Sequence, residues 1–76
     1  MEPYIVPSAH RHGCVDGDIL HAYRQATMVW PDLDDGMDMI IGPSRSALML
    51  EIGVVTAADG TPVIVHAMRA RDKYLR

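Results

Sequence analysis

The stretch Thr61–Arg76, TPVIVHAMRARDKYLR, decides how the rest of the chain is read. Val63 to Met68 is an apolar run rich in β-branched side chains, interrupted only by His66, and reads as a strand. It passes directly into a segment carrying Arg69, Arg71, Lys73 and Arg76, with Tyr74 among them. Four of the seven Lys and Arg residues thus fall within eight positions. A strand is a rigid support, and a basic tail with an aromatic leaving it offers a surface for phosphate.

Working outward, Asp59-Gly60 just before this strand is a strong hairpin signal. It sets Pro62 to Met68 antiparallel to a strand from Ala47 to Val55. Gly42-Pro43-Ser44 is a second turn, which adds Met37 to Ile41 as a third strand. Short connections make the three an antiparallel meander. Tyr4 to Val6 is a short edge strand, limited by Pro3 and Pro7. Pro7 to Gly13 reads as one helical turn or a loop, with Gly13 suited to end it in a left-handed conformation.

The main helix follows. Asp16 is a good N-cap, and Asp18 suits the positive end of the helix dipole. From Asp18 to Met28 the residues Ile19, Ala22, Tyr23 and Ala26 recur at spacings of three and four, giving one apolar stripe. Pro31 forbids continuation, and Trp30 is expected where the helix meets the sheet. Asp32 to Gly36 is a turn by composition. The expectation is an α+β fold: one main helix on a three- to four-stranded antiparallel sheet, ending in a short basic C-terminal helix or tail. Residues 1–76 form a single domain.

Period-two counting sorts the strand faces. Met37, Met39 and Ile41, then Leu48, Leu50, Ile52 and Val54, then Val63, Val65 and Ala67, form the set expected under the helix. The opposite face holds Asp38, Met49, Glu51, Gly53, Ile64, His66 and Met68, a mixture suited to a binding platform.

Composition narrows the function. A chain of 76 residues buries only about 60% of its unfolded surface, so a partner is a reasonable expectation. The net charge of −3 argues against a general nucleic-acid binder. Yet Asp32, Asp34, Asp35 and Asp38 cluster mid-chain while the cations gather at the C-terminus, so a local positive patch is compatible with that total. Cys14 is the one cysteine, which excludes an intrachain disulfide and fits a reducing compartment. The start MEPYIVP does not read as a signal peptide, and no apolar run approaches the ~20 residues of a membrane span. A soluble cytoplasmic protein is expected.

Three constellations carry chemistry. His10, His12, Cys14 and His21 are zinc-ligand types, but their spacing matches no standard finger, and Gly13 would scatter them. No metal or cofactor is expected. Glu51 and His66 share face parity on neighbouring strands, so they lie within reach of each other. Beside Arg69, Arg71 and Lys73 they are what metal-independent RNA cleavage would use: a base for the 2′-OH, cations for the phosphorane and an acid for the leaving oxygen. The plainer alternative is a polar pair on an exposed sheet face. Arg45, in the turn Pro43-Ser44-Arg45-Ser46, is a further phosphate contact or an ordinary surface arginine, and Tyr74 either stacks a base or packs on the sheet edge.

As a set, certain motifs resemble the BrnT family, toxins of bacterial type II toxin–antitoxin pairs whose fold is similar to RelE and ParE. They are His12-Gly13-Cys14-Val15 with Asp18-Ile19, Ile41-Gly42 before the Arg45 turn, Leu50-Glu51-Ile52, Ile64 to Ala70, and Lys73-Tyr74. The resemblance runs from His12 to Tyr74. It implies an endoribonuclease that cleaves mRNA, perhaps on the ribosome, neutralised by a cognate antitoxin that is a small DNA-binding protein. The matching positions are His12, Arg45, Arg69, Arg71 and Tyr74. The expected catalytic set is His66, Arg69, Glu51 and His12, with His66 or His12 as acid or base. Arg45, Arg71, Lys73 and Tyr74 are expected to bind RNA. The alternative is a non-catalytic interaction module that binds a partner protein or forms a homo-oligomer.

Overall fold

Leu50 to Val54 are buried at every position, although strict alternation would bury only every second one. The computed structural model, which describes residues 2–31 and 36–75, shows why. This strand lies in the middle of a sheet covered on both faces, and a strand buried on both faces reads as a continuous apolar run. The elements in chain order are β1 (Tyr4–Ile5), a 3-10 turn (Pro7–His10), α1 (Asp16–Arg24), β2 (Met28–Trp30), β3 (Asp38–Pro43), β4 (Met49–Thr56), β5 (Pro62–Arg69) and a second 3-10 turn (Asp72–Tyr74). The strand order is β1-β5-β4-β3-β2.

The architecture corrects the expected fold. The class is α+β with a single helix, but the sheet has five strands and is mixed. The β3-β4-β5 meander is antiparallel, whereas β1 pairs with β5 in parallel. The fold is richer in strand than the RelE-like arrangement, and the chain closes on a 3-10 turn rather than a basic α-helix.

The fifth strand comes from the end of the expected helix. The apolar period continues to Met28, yet α1 stops at Arg24 and residues Met28–Trp30 pair antiparallel with Met39–Ile41. Thr27 secures the switch by donating its backbone N–H (2.8 Å) and its hydroxyl (3.2 Å) to the Ile41 carbonyl. Tertiary pairing to a free sheet edge outweighs the weak helical preference of Thr27, Val29 and Trp30. At the other end Val15 stands at the N-cap, and Asp16 is already in the first turn without capping by its side chain. The expected turn at Asp32 to Gly36 and most of the acidic cluster lie outside the described residues; Asp38 opens β3.

The faces also differ from period-two counting, for two reasons. Pairing sets Ile40 opposite Ile52 and Ile52 opposite Ala67, so it is Ile40 that joins the helix-side core. Met39 and Ile41 point to the opposite face with Glu51. Within β5 a bulge intervenes: Val54 pairs with Ile64, but Gly53 pairs with His66, leaving Val65 unopposed. Parity therefore reverses along β5. Ile64 and Ala67 enter the helix-side core instead of Val63 and Val65.

The helix-side core joins Ala9, Ile19, Ala22, Leu50, Ile52, Val54, Ile64 and Ala67. α1 lies so close to β3 that a Cβ at Gly42 would collide with the Ala22 carbonyl. The second layer contains Met39, Ile41 and Ala70, with Met28, Met37, Met49 and Tyr74 against them. A strap from Ala70 to Leu75 folds back over it. Trp30 belongs to this layer, not to the helix junction, because it pairs with Met39. Among the described residues no helix is long and apolar enough to cross a membrane.

Candidate functional site

The bulge at Val65 aims His66. Had pairing continued regularly from Val54 and Ile64, His66 would oppose Ile52 and point into the helix-side core. The extra residue moves it one step, opposite Gly53, onto the face that carries Glu51. Glycine is required there: a Cβ at Gly53 would come within 2.9 Å of both the His66 Cβ and the Met37 sulfur. A glycine inside a strand pattern is itself a signal of a bulge or a close approach, and here it marks both.

Glu51 sits at the centre, with a side chain that is 0% exposed. A buried carboxylate needs its oxygens satisfied, and four bonds do so. Oε1 accepts from the Arg71 backbone N–H (2.9 Å) and from Arg71 Nε (3.0 Å). Oε2 accepts from Arg71 Nη2 (2.8 Å) and from His66 Nε2 (2.9 Å). Burial pushes the Glu51 carboxyl up, but the Arg71 side chain, the Arg71 N–H and His66 outweigh it. The net position is below the usual carboxylate value. Glu51 in turn raises the Arg71 guanidinium.

This geometry sets the tautomer of His66. An ionised carboxylate only accepts, so Nε2 carries the hydrogen. In the neutral ring Nδ1 then holds the lone pair. The side chain is 25% exposed. Against it, edge to face, stands the ring of His12, with centroids 5.7 Å apart. His12 reaches this place because the first 3-10 turn packs beside β5 and the following loop turns at Gly13, whose φ is +85°. Two imidazoles, one oriented by a buried carboxylate, thus share a surface position.

The expected site divides. Glu51, His66, His12, Arg71 and Tyr74 come together, with the Arg71 guanidinium carbon 5.6 Å and Lys73 Nζ 5.0 Å from the Tyr74 ring centroid. Arg69 does not join them, since it pairs with Leu50 and leaves from the helix side of the sheet. Nor does Arg45. Its backbone N–H and Nε donate to Asp18 Oδ1 (3.1 and 2.9 Å), clamping the β3–β4 turn to the first turn of α1. The bond to the Arg45 side chain is the main cause of the lowered Asp18 carboxyl.

The histidine and cysteine series is dispersed as its spacing implied. His10 bonds Asp16 and the Pro7 carbonyl, and His21 Nδ1 donates to the Pro43 carbonyl at 2.7 Å. Among the described residues no group of three or more His, Cys, Asp or Glu is placed to hold a metal ion. Sequence reasoning missed Arg71 as the clamp of Glu51, for which periodicity holds no signal. It also missed Trp30, whose indole N–H donates to the Tyr74 carbonyl at 3.3 Å.

Comparison of the chain with protein-family models, with curated proteins and with solved structures returned no significant match.

Proposed function

We propose that this protein is a metal-independent endoribonuclease of toxin type, cleaving RNA at the His12–His66 pair and acting in the cytoplasm. The observation that carries the reading is the pairing itself: two imidazoles in contact, one held by a buried, ionised glutamate. His66 Nδ1 takes the proton of the ribose 2′-OH. The 2′ oxygen attacks the adjacent phosphorus, and the bond to the 5′ oxygen breaks. That oxygen leaves with a proton from His12. The products are a 2′,3′-cyclic phosphate and a 5′-OH, with no electron transfer and no added nucleophile. Glu51 acts by orientation, because Arg71 neutralises it and burial keeps it from substrate.

Purified wild type, His12→Ala and His66→Ala are incubated with labelled RNA, and the new 3′ ends are analysed. The expected result is cyclic phosphate ends from wild type and a rate lower by about 10²–10⁴ in either variant, a usual size for one acid or base. Intact RNA with folded wild type, or equal cleavage by His66→Ala, overturns the reading.

A second reading is favoured by the outer edge of β2. Val29 is 54% and Trp30 39% exposed, and the strand has no Lys, bulge or internal Pro to discourage pairing. A partner protein adding a strand there is the non-catalytic alternative, and for a toxin it is where a neutralising antitoxin would dock. In that case Val29→Lys abolishes the partner complex and leaves RNA untouched.

A further inference from the structure

We propose that Trp30, Tyr74 and Lys73 form a stacking subsite for an unpaired base of single-stranded RNA, beside the His66 centre. The inference rests on the ribonuclease reading and extends it to how substrate is held. Trp30 from β2 and Tyr74 from the strap meet at 6.3 Å between centroids with planes 61° apart. The indole N–H bond to the Tyr74 carbonyl sets the orientation of the Trp30 ring, which remains 39% exposed. An aromatic held rigidly yet left open is a stacking surface ready for a base.

Charge selects the ligand. Lys73 and Arg71 both lie over the Tyr74 ring, and the only acid between Ala70 and Leu75 is Asp72. An open aromatic beside cations suits a base and its phosphate. Duplex is disfavoured, because its bases are already stacked. Arg71 joins the two places: the residue that flanks Tyr74 is the one that clamps Glu51, and Glu51 holds His66. A strand stacked at Trp30 therefore runs past the imidazole pair.

Trp30 is the one tryptophan in the chain, so its fluorescence reads the subsite directly. Wild type is titrated with a short oligoribonucleotide 2′-O-methylated throughout, which has no 2′-OH to attack, at several salt concentrations. Saturable quenching is expected, with Tyr74→Ala weakening binding about tenfold and Lys73→Ala lowering the salt slope by about 0.7. Lys73 is exposed, so its variant keeps the test decisive if Tyr74→Ala does not fold. His66→Ala should bind like wild type. No saturable response, or binding unchanged in Lys73→Ala and in folded Tyr74→Ala, overturns the subsite. Cleavage of unmodified RNA without a Trp30 response removes the subsite and leaves the nuclease. A Trp30 response with RNA left intact keeps the subsite and removes the nuclease.

Discussion

Glu51 concentrates the chemistry of the molecule in one side chain. It is the buried charge, the anchor of the strap through Arg71 and the orienter of His66. Glu51→Gln keeps the shape but replaces charge-assisted bonds and turns one acceptor into a donor facing donors. The expected loss is about 2 kcal/mol in urea unfolding with an unchanged m-value. The pH dependence has a defined sign. A carboxyl whose folded pKa is depressed stabilises above its unfolded value, and that stability is lost as pH falls through the folded pKa. For Glu51 the window therefore opens below the ordinary 4.5. Asp18 and Asp59 shift in the same direction, so the decisive quantity is the difference between wild type and Glu51→Gln. That gap should be constant near neutrality and close on acidification below pH 4.5. A gap that stays constant there would mean the Arg71 and His66 bonds do not hold the carboxylate.

Among the elements, the β3–β4 hairpin and its seat on α1 carry the clearest tests. Gly42 permits the contact between helix and strand, and a methyl group there must push Ala22 and its backbone away. Gly42→Ala should cost about 1–3 kcal/mol, read as a lower thermal midpoint. At the tip, Ala47 takes a positive φ of 69°, while Ser44 Oγ receives the Ser46 and Leu48 N–H groups at 3.2 and 3.1 Å. Ala47→Gly should relieve about 1 kcal/mol of strain, offset in part by the greater freedom of glycine in the unfolded chain. A fall in stability would show that the turn tolerates Ala47 without strain. The β5 bulge belongs to this scale as well. It turns a strand that would have buried His66 in the core into one that presents it beside Glu51.

Across the whole molecule, two apolar layers share one sheet but differ in cover. One is closed by α1, the other by a strap of a few residues tied down at Arg71 and Tyr74. Native-state hydrogen exchange should find β4 slowest, because it is paired on both sides and buried on both faces, and β1 and β2 fastest, as short edges. Exchange in β2 as slow as in β4 would point to a strand already added at that edge. Every described methionine, Met28, Met37, Met39, Met49 and Met68, lies on the strap side or pairs into it. Such flexible side chains fill an irregular space without the close fit of the helix-side layer.

The sequence by itself determined what local chemistry controls. The helix start near Asp16, the Asp59-Gly60 turn, the three long strands and the left-handed Gly13 follow from capping, turn preference and alternation, which act over a few residues. The nearness of Glu51 and His66 was also legible, since hairpin connections pair those strands. Only the tertiary structure decided which period wins after Arg24, where both readings of Met28 were locally satisfied and the free edge of β3 settled it. It alone decided the parity of β5, because a one-residue bulge reverses every face downstream. It alone separated the basic residues, sending Arg69 to the helix side, Arg45 to Asp18 and Arg71 to Glu51. Cations that are neighbours in the chain share no face unless the backbone brings them together, and a buried carboxylate captures the nearest donor that can neutralise it.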